Sequence, residues 1–142
     1  VLHRLDESLF NVRAKLAGFS MSDASPTTCL LVEDDCSVSS VYELILENAG
    51  IRVCQIATSE PEAIDAILKS RPDIALLDID IDGGDTMGIA TALLAKDVPV
   101  AFVSGHPRTV LSSPFSTFPF LQKPVSRDAL ISLARSLASV RE

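Results

Sequence analysis

Short apolar runs alternate with longer amphipathic segments along most of this chain. The apolar runs are typical of buried β-strands, and they occupy residues 28–33, 51–57, 73–79, 99–105 and 118–122. The amphipathic segments predict helices at residues 37–49, 59–69, 85–96 and 126–140. Because parallel strands must be joined by crossovers, this alternation favours a parallel sheet with helices on both faces. The predicted fold is a doubly wound α/β sandwich with five strands.

The beginning of the chain does not follow this alternation. Apolar residues recur there at spacings of three and four, which predicts an amphipathic helix over residues 1–19. They are Leu2, Leu5, Leu9, Val12, Leu16 and Phe19. The next stretch, SMSDASPTT, has the composition of a linker. We therefore predict two parts, an N-terminal helix with its linker at residues 1–27 and an α/β domain at residues 28–142.

The composition narrows the functional classes. Hydrophobic residues make up 47% of the chain, which is typical of a globular protein. The apolar runs are too short to cross a membrane and no signal-peptide pattern is present, so we expect a cytoplasmic protein without membrane contact. The formal net charge is −7, and no basic patch with interleaved aromatic residues supports nucleic-acid binding. Cys29, Cys36 and Cys54 show no C-x-x-C spacing and are predicted to be reduced thiols.

Polar residues follow four of the five predicted strands. They are Glu33 and Asp34 at the end of the first strand, Asp78 at the end of the third, Ser104 at the end of the fourth and Lys123 after the fifth. In doubly wound folds, ligands bind beyond the carboxyl ends of the strands, so we expect these side chains to meet at one edge. Carboxylates crowded together can stay ionised when a divalent cation lies between them, and magnesium prefers such oxygen ligands.

The segment DIDIDGGD, residues 78–85, allows two other interpretations. Asp78, Asp80 and Asp82 match the first half of a calcium-binding loop, but the twelfth position, which should be Glu, is Ile89. Asp78 and Asp80 also match the D-x-D of haloacid-dehalogenase-like phosphatases, in which the second Asp is the general acid. That family needs an acidic pair for magnesium after the lysine, whereas the acidic pair of this chain precedes Asp78.

The order of acidic pair, Asp, Ser and Lys-Pro at successive strand ends resembles the receiver domain of bacterial response regulators, over residues 28–141. The resemblance implies a flavodoxin-like sheet with strand order 2-1-3-4-5 and a phosphoryl group accepted by Asp78. It also implies Mg²⁺ ligation by Glu33, Asp34, Asp78 and the backbone carbonyl of Asp80, phosphoryl contacts by Ser104 and Lys123, and a switch formed by Ser104 and Phe120.

The connection between the fourth and fifth predicted strands departs from ordinary receivers. It carries three prolines, and Pro114 disfavours helix at Ser113, so a full fourth helix is not expected. The segments AFVSGH and PFLQKP resemble single-domain receivers that have an F-x-[ST]-G motif and a degenerate fourth helix. Receivers tune the lifetime of their phosphoryl group at the positions of Asp80 and His106. A lone histidine such as His106 is by default an exposed side chain.

The expected function is that of a stand-alone receiver, because the last predicted helix ends close to the final residue. Asp78 would take a phosphoryl group from a phosphohistidine of a sensor histidine kinase or phosphotransfer protein. The chain would then signal through protein contacts or act as a phosphate sink, and would not be an enzyme. The alternatives are the phosphatase and an interaction module that is never phosphorylated. With acetyl phosphate and magnesium, a receiver gains one phosphoryl group, a phosphatase turns over many and a silent module does neither.

The predicted N-terminal helix supports an expectation about assembly. An isolated helix of this length is marginal in water, so its apolar stripe must be buried to be ordered. We expect a homodimer contact between the stripes of two copies, with docking on the same chain or on a kinase as alternatives. Sedimentation should give a dimer for the full chain and a monomer for a chain that begins at Met21. Equal monomer masses for both would contradict the dimer.

Overall fold

The computed structural model describes residues 26–140, which contain a five-stranded parallel sheet. The strands are β1 (Thr28–Val32), β2 (Arg52–Ala57), β3 (Ile74–Leu77), β4 (Val100–Ser104) and β5 (Phe120–Gln122). Their order in the sheet is β2-β1-β3-β4-β5. The predicted fold class and strand order are therefore confirmed.

Within residues 26–140, four α-helices cover the sheet, two on each face. They are α1 (Cys36–Asn48), α2 (Glu60–Lys69), α3 (Met87–Ala95) and α4 (Arg127–Val140). Helices α2 and α3 pack on the face that buries Leu30 and Leu77. Helices α1 and α4 pack on the face that buries Leu31 and Leu76. Successive strand residues reach opposite faces because side chains alternate along a strand, and each buried leucine contributes roughly 1.5–3 kcal/mol relative to an exposed one.

The register of the strands brings their carboxyl ends to one edge. Val32 of β1 pairs with Leu77 of β3, so the residues that follow them leave the sheet side by side. Ser104 of β4 pairs with Gln122 of β5, and the carbonyl of Ser104 accepts a 2.8 Å hydrogen bond from the backbone N–H of Lys123. The candidate residues are thus collected by backbone pairing before any side chain interacts.

Local capping sets several helix boundaries. Helix α2 begins after Ser59, whose hydroxyl accepts a hydrogen bond from the N–H of Glu62 at 3.4 Å. The carboxylate of Glu62 accepts from the N–H of Thr58 at 2.7 Å, one residue earlier than in a standard capping box. Helix α1 is followed by Gly50, whose φ of 85° lies in the left-handed region that favours glycine.

A short hairpin separates β3 from α3, and the sequence did not predict it. Asp80–Ile81 and Gly84–Asp85 pair in antiparallel fashion around a turn in which Gly83 has a φ of 89°. Strand β3 consequently ends at Leu77 rather than at residue 79. Helix α3 begins at Met87 rather than at residue 85 for the same reason. A Gly-Gly pair permits this turn, because glycine adopts positive φ without a steric penalty.

The connection between β4 and β5 contains two 3₁₀ turns and no α-helix, which confirms the expectation that no full helix forms between the fourth and fifth strands. The turns are Arg108–Val110 and Phe115–Thr117. Phe115 and Phe118 pack on Phe102 of β4, with ring centroids 6.3 and 6.0 Å from that of Phe102. Aromatic packing therefore covers this part of the sheet.

The predicted N-terminal helix over residues 1–19 lies outside the described residues, as does nearly all of the 1–27 segment, so both stay predictions. Among residues 26–140, every helix is too short or too polar to span a bilayer.

Candidate functional site

Three carboxylates meet at the carboxyl edge of the sheet. Glu33 and Asp34 follow β1, Asp78 follows β3, and one oxygen from each lies within 4.8 Å of the others. Glu33 is almost fully buried, with 2% of its surface exposed, while Asp34 and Asp78 are half-buried. Such a group of oxygen ligands suits a hard divalent cation such as Mg²⁺.

Lys123 extends from the end of β5 into this carboxylate group. Its Nζ lies 2.5 Å from Oε1 of Glu33 and 2.9 Å from Oδ2 of Asp78. The lysine side chain is 20% exposed, so the two ion pairs are shielded from solvent. One cation thus links the residues that follow β1 and β3 to the edge strand.

Burial and pairing shift two pKa values in this pocket. Burial raises the pKa of Glu33 above its ordinary value, and the hydrogen bond and charge of Lys123 only partly oppose this effect. Burial also lowers the pKa of Lys123, but the hydrogen bonds from its ammonium to Glu33 and Asp78 outweigh burial, so the pKa is raised. Lys123 is therefore fully charged at neutral pH, whereas the ionised form of Glu33 is disfavoured.

Asp78 is fixed through its backbone as well as its side chain. Its N–H donates to the carbonyl of Val32 at 3.0 Å, and its Oδ1 accepts from the N–H of Ile79 at 2.7 Å. The carbonyl of Asp78 accepts a 2.5 Å hydrogen bond from the hydroxyl of Thr86, which is completely buried. Sequence reasoning missed Thr86, because a threonine at the start of a predicted helix suggests a cap and nothing more.

Asp35, the third acid after β1, does not point into the pocket. Its Oδ1 caps α1 by accepting hydrogen bonds from the N–H of Ser37 at 3.0 Å and the hydroxyl of Ser37 at 2.6 Å. The side-chain hydrogen bond from Ser37 is the main cause of the lowered pKa of Asp35. Asp35 therefore stabilises the start of α1 and is not part of the group of carboxylates.

Ser104, His106 and Asp80 form a second polar group beside the carboxylates. Ser104 is completely buried, and its hydroxyl accepts a 3.2 Å hydrogen bond from the N–H of His106. Nε2 of His106 lies 2.5 Å from Oδ2 of Asp80, and both side chains are at least half exposed. His106 is thus exposed, as expected by default, but it is also paired, which sequence reasoning did not predict.

Phe120, the predicted switch aromatic, lies half-buried in β5 beneath Arg108. The guanidinium carbon of Arg108 is 5.3 Å from the centre of the Phe120 ring. The same guanidinium donates hydrogen bonds to the carbonyls of Ser116 at 3.0 Å and Phe118 at 2.5 Å. Arg108 therefore links the connection between β4 and β5 to the first residue of β5. This contact could not be predicted from the sequence, because an isolated arginine in a loop belongs to no periodic pattern.

The family comparison assigns the domain. The family model of the response regulator receiver domain matches residues 29–135, which is most of the chain. This chain belongs to the response regulator receiver domain family. Receiver domains are generally signalling modules rather than enzymes, they take phosphoryl groups from kinases or phosphotransfer proteins, and they commonly bind Mg²⁺ at an acidic pocket.

Similar proteins include larger regulators. The C4-dicarboxylate transport transcriptional regulatory protein DctD of Pseudomonas aeruginosa is 30% identical over 132 residues, which cover 89% of this chain and 28% of DctD. The phyllosphere-induced regulator PhyR of Methylorubrum extorquens is 30% identical over 99 residues, which cover 68% of this chain and 37% of PhyR. The receiver domain thus spans about a quarter to just over a third of these two relatives.

A solved receiver structure is similar over its whole length. The signal receiver domain of a modulated diguanylate cyclase from Desulfovibrio desulfuricans superimposes with a TM-score of 0.73 and 27% sequence identity. The superposition covers 84% of this chain and 100% of that domain.

The raised pKa of Glu33 leads to a prediction about the free energy of unfolding, measured in EDTA so that no divalent cation is bound. Glu33→Gln should raise the free energy of unfolding at pH 7, because the folded state favours a neutral group at this position. A raised folded-state pKa costs stability only as the pH rises above the unfolded value, about 4.3 for Glu. The gain from the substitution should therefore be absent below that pH, grow through the folded-state pKa and then stay constant.

Urea denaturation between pH 4 and pH 8 measures this difference. Glu43→Gln, at a half-exposed position in α1, is the matched control and should show no such trend. A Glu33→Gln variant that is less stable at pH 7 would mean that the ion pair with Lys123 outweighs the cost of burial.

Proposed function

We propose that this chain is a cytoplasmic receiver in which Asp78 accepts a phosphoryl group from a phosphohistidine of a sensor histidine kinase or phosphotransfer protein. One observation carries the proposal. The carboxylate of Asp78 lies 2.9 Å from the ammonium of Lys123 and within 4.8 Å of two further carboxylates. Membership of the receiver family supports the same reaction class.

The reaction is a displacement at phosphorus. A carboxylate oxygen of Asp78 attacks the phosphorus atom, the phosphorus–nitrogen bond of phosphohistidine breaks, and an acyl phosphate forms. Phosphoryl transfer is mostly a matter of positioning and of compensating charge. Lys123 supplies a permanent positive charge at Oδ2 of Asp78, and its flexible stem can follow the new phosphoryl oxygens. The hydroxyl of Ser104 can donate one hydrogen bond to them.

Magnesium is the cofactor in this proposal, with Glu33, Asp34, Asp78 and the backbone carbonyl of Asp80 as the residues that would hold it. The donors are all oxygen atoms, and the three carboxylates lie close enough together to share one ion. When bound, Mg²⁺ supplies the positive charge that lets several carboxylates and a phosphoryl group occupy one pocket. Asp34 and Asp78 are only partly buried, so water molecules would complete the ligand set of the ion.

The geometry of Asp80 supports a receiver over a D-x-D phosphatase. In the phosphatase the second aspartate must protonate the leaving group, so its carboxyl group has to face the phosphoryl site. Here the carboxylate of Asp80 is directed to His106, at 2.5 Å, in an exposed pair. The only acid that follows Lys123 in the described part of the chain is Asp128, in the first turn of α4.

The output in this proposal passes through protein contacts. Ser104 and Phe120 form the switch. They lie at the two ends of the connection between β4 and β5, which contains 3₁₀ turns in place of an α-helix. A stand-alone receiver of this kind relays its phosphoryl group, signals by docking on another protein or serves as a phosphate sink. It makes no contact with nucleic acid. A homodimer through residues 1–27 belongs to the same proposal.

The phosphoacceptor is tested with acetyl phosphate and magnesium. The unmodified protein should gain one acid-labile phosphoryl group by intact-mass spectrometry, and Asp78→Asn should gain none because an amide is a poor nucleophile. Asp82→Asn, in the exposed turn of the hairpin, is the matched control and should be phosphorylated normally. A phosphoryl group on the Asp78→Asn variant would refute the site. Continuous release of phosphate over many turnovers would favour the phosphatase.

The magnesium ligands are tested by titration. Asp34→Ala should raise the Mg²⁺ concentration that gives half the maximal phosphorylation rate by about tenfold or more, because it removes one carboxylate ligand. Asp82→Ala removes an equal charge outside the pocket and should leave that concentration unchanged. If Asp34→Ala behaves like the control at limiting magnesium, then Asp34 does not hold the ion.

A further inference from the structure

Among the described residues, Thr86 is the buried polar residue at the site whose role neither the sequence motifs nor the family resemblance explains. Its hydroxyl donates to the carbonyl of Asp78 at 2.5 Å, with a longer 3.3 Å approach to the carbonyl of Ile79. Its backbone N–H donates to the carbonyl of Ile79 at 2.9 Å. One residue therefore binds two successive carbonyls at the end of β3, although the hairpin separates it from them in sequence.

The position of Thr86 makes this use of the hydroxyl unusual. Thr86 directly precedes α3, where a threonine normally accepts a hydrogen bond from an N–H of the first helical turn, which stabilises the helix. No such bond to the Thr86 side chain forms in the described structure. Asp85 accepts from the N–H of Met87 instead, at 3.0 Å. A residue that gives up a favourable local interaction for a distant one is expected at a functional site.

The distant interaction acts on the nucleophile. The N–H of Asp78 is held by the carbonyl of Val32 at 3.0 Å, within the sheet. The carbonyl of Asp78 lies just beyond the last ladder residue of β3, and Thr86 holds it. With both backbone groups fixed, the Cα of Asp78 is fixed, and the carboxylate has only its own two torsions to set its direction.

We propose that Thr86 is a positioning residue for the nucleophile, and that its hydroxyl holds the backbone of Asp78 in the orientation that presents the carboxylate for phosphoryl transfer. The inference rests on the proposed function, because it assigns Thr86 a part in that reaction. A misplacement of about 1 Å can cost about a hundredfold in rate, so a single buried hydrogen bond can control the reaction without touching it.

The test compares Thr86→Val with Thr86→Ser. Valine keeps the shape of the side chain but has no donor, whereas serine keeps the donor. With acetyl phosphate at saturating magnesium, Thr86→Val should lower the maximal phosphorylation rate about tenfold or more, with little change in the half-saturating acetyl phosphate concentration. Thr86→Ser should be phosphorylated at the rate of the unmodified protein. Thr91→Val is the matched control, because Thr91 is exposed on α3 and donates only to the carbonyl of Met87.

Two outcomes overturn the proposal. The first is a Thr86→Val protein that is less stable but phosphorylates at the rate of the unmodified protein. The second concerns Thr86→Cys, which replaces Thr86→Val if valine prevents folding and whose thiol is a weak donor. It should phosphorylate at an intermediate rate, and an unchanged rate would again reduce Thr86 to a structural residue.

A measurement without phosphoryl transfer separates this proposal from the proposed function. The N–H of Ile79 bonds to Oδ1 of Asp78, so its hydrogen exchange reports the geometry of the nucleophile. Exchange should accelerate in Thr86→Val but not in Thr86→Ser or Thr91→Val. If the unmodified protein accepts no phosphoryl group while exchange follows this pattern, the proposed function fails and the positioning contact stands. Unchanged exchange in Thr86→Val overturns the contact itself.

Discussion

The ammonium of Lys123 is the interaction on which the rest of the site depends. Glu33 is almost fully buried, and Asp78 and Asp34 lie beside it, so the three carboxylates would repel one another without a compensating charge. Lys123 provides one positive charge for two of them. The pocket therefore holds more carboxylates than positively charged groups. That deficit of positive charge favours any ligand that brings a cation, and it links stability to occupancy.

The backbone makes this arrangement possible before the side chains do. Residues that are far apart in sequence become neighbours because Val32 pairs with Leu77 and Ser104 with Gln122. Asp78 and Lys123 are then separated by one intervening strand, a distance that a lysine stem spans easily. Moving one strand by a single residue would turn its site residue to the other face of the sheet. The two hydrophobic cores therefore stabilise the register of the strands, and that register brings the site residues together.

The sequence predicted most of this architecture because strands and helices have local signals. Periodicity predicted the helices of the described domain, and the proline positions predicted that no full helix joins β4 to β5. The resemblance implied the strand order. The positions of the carboxylates and the lysine at strand ends predicted that they meet at one edge. The features that sequence reasoning missed are tertiary hydrogen bonds and short pairings. Thr86 and Arg108 bind backbone carbonyls that lie several residues away along the chain. The hairpin after β3 consists of only two residue pairs. No periodic pattern marks such contacts.

The edge of the sheet has a consequence for how partners can bind. In the described part of the chain β5 is an edge strand of three residues, and prolines at 119 and 124 flank it closely. A strand this short exposes few free backbone groups, and proline contributes no N–H, so a foreign strand gains little by pairing there. Aggregation through this edge is disfavoured for the same reason. Recognition at β5 therefore falls to side chains rather than to an extension of the sheet.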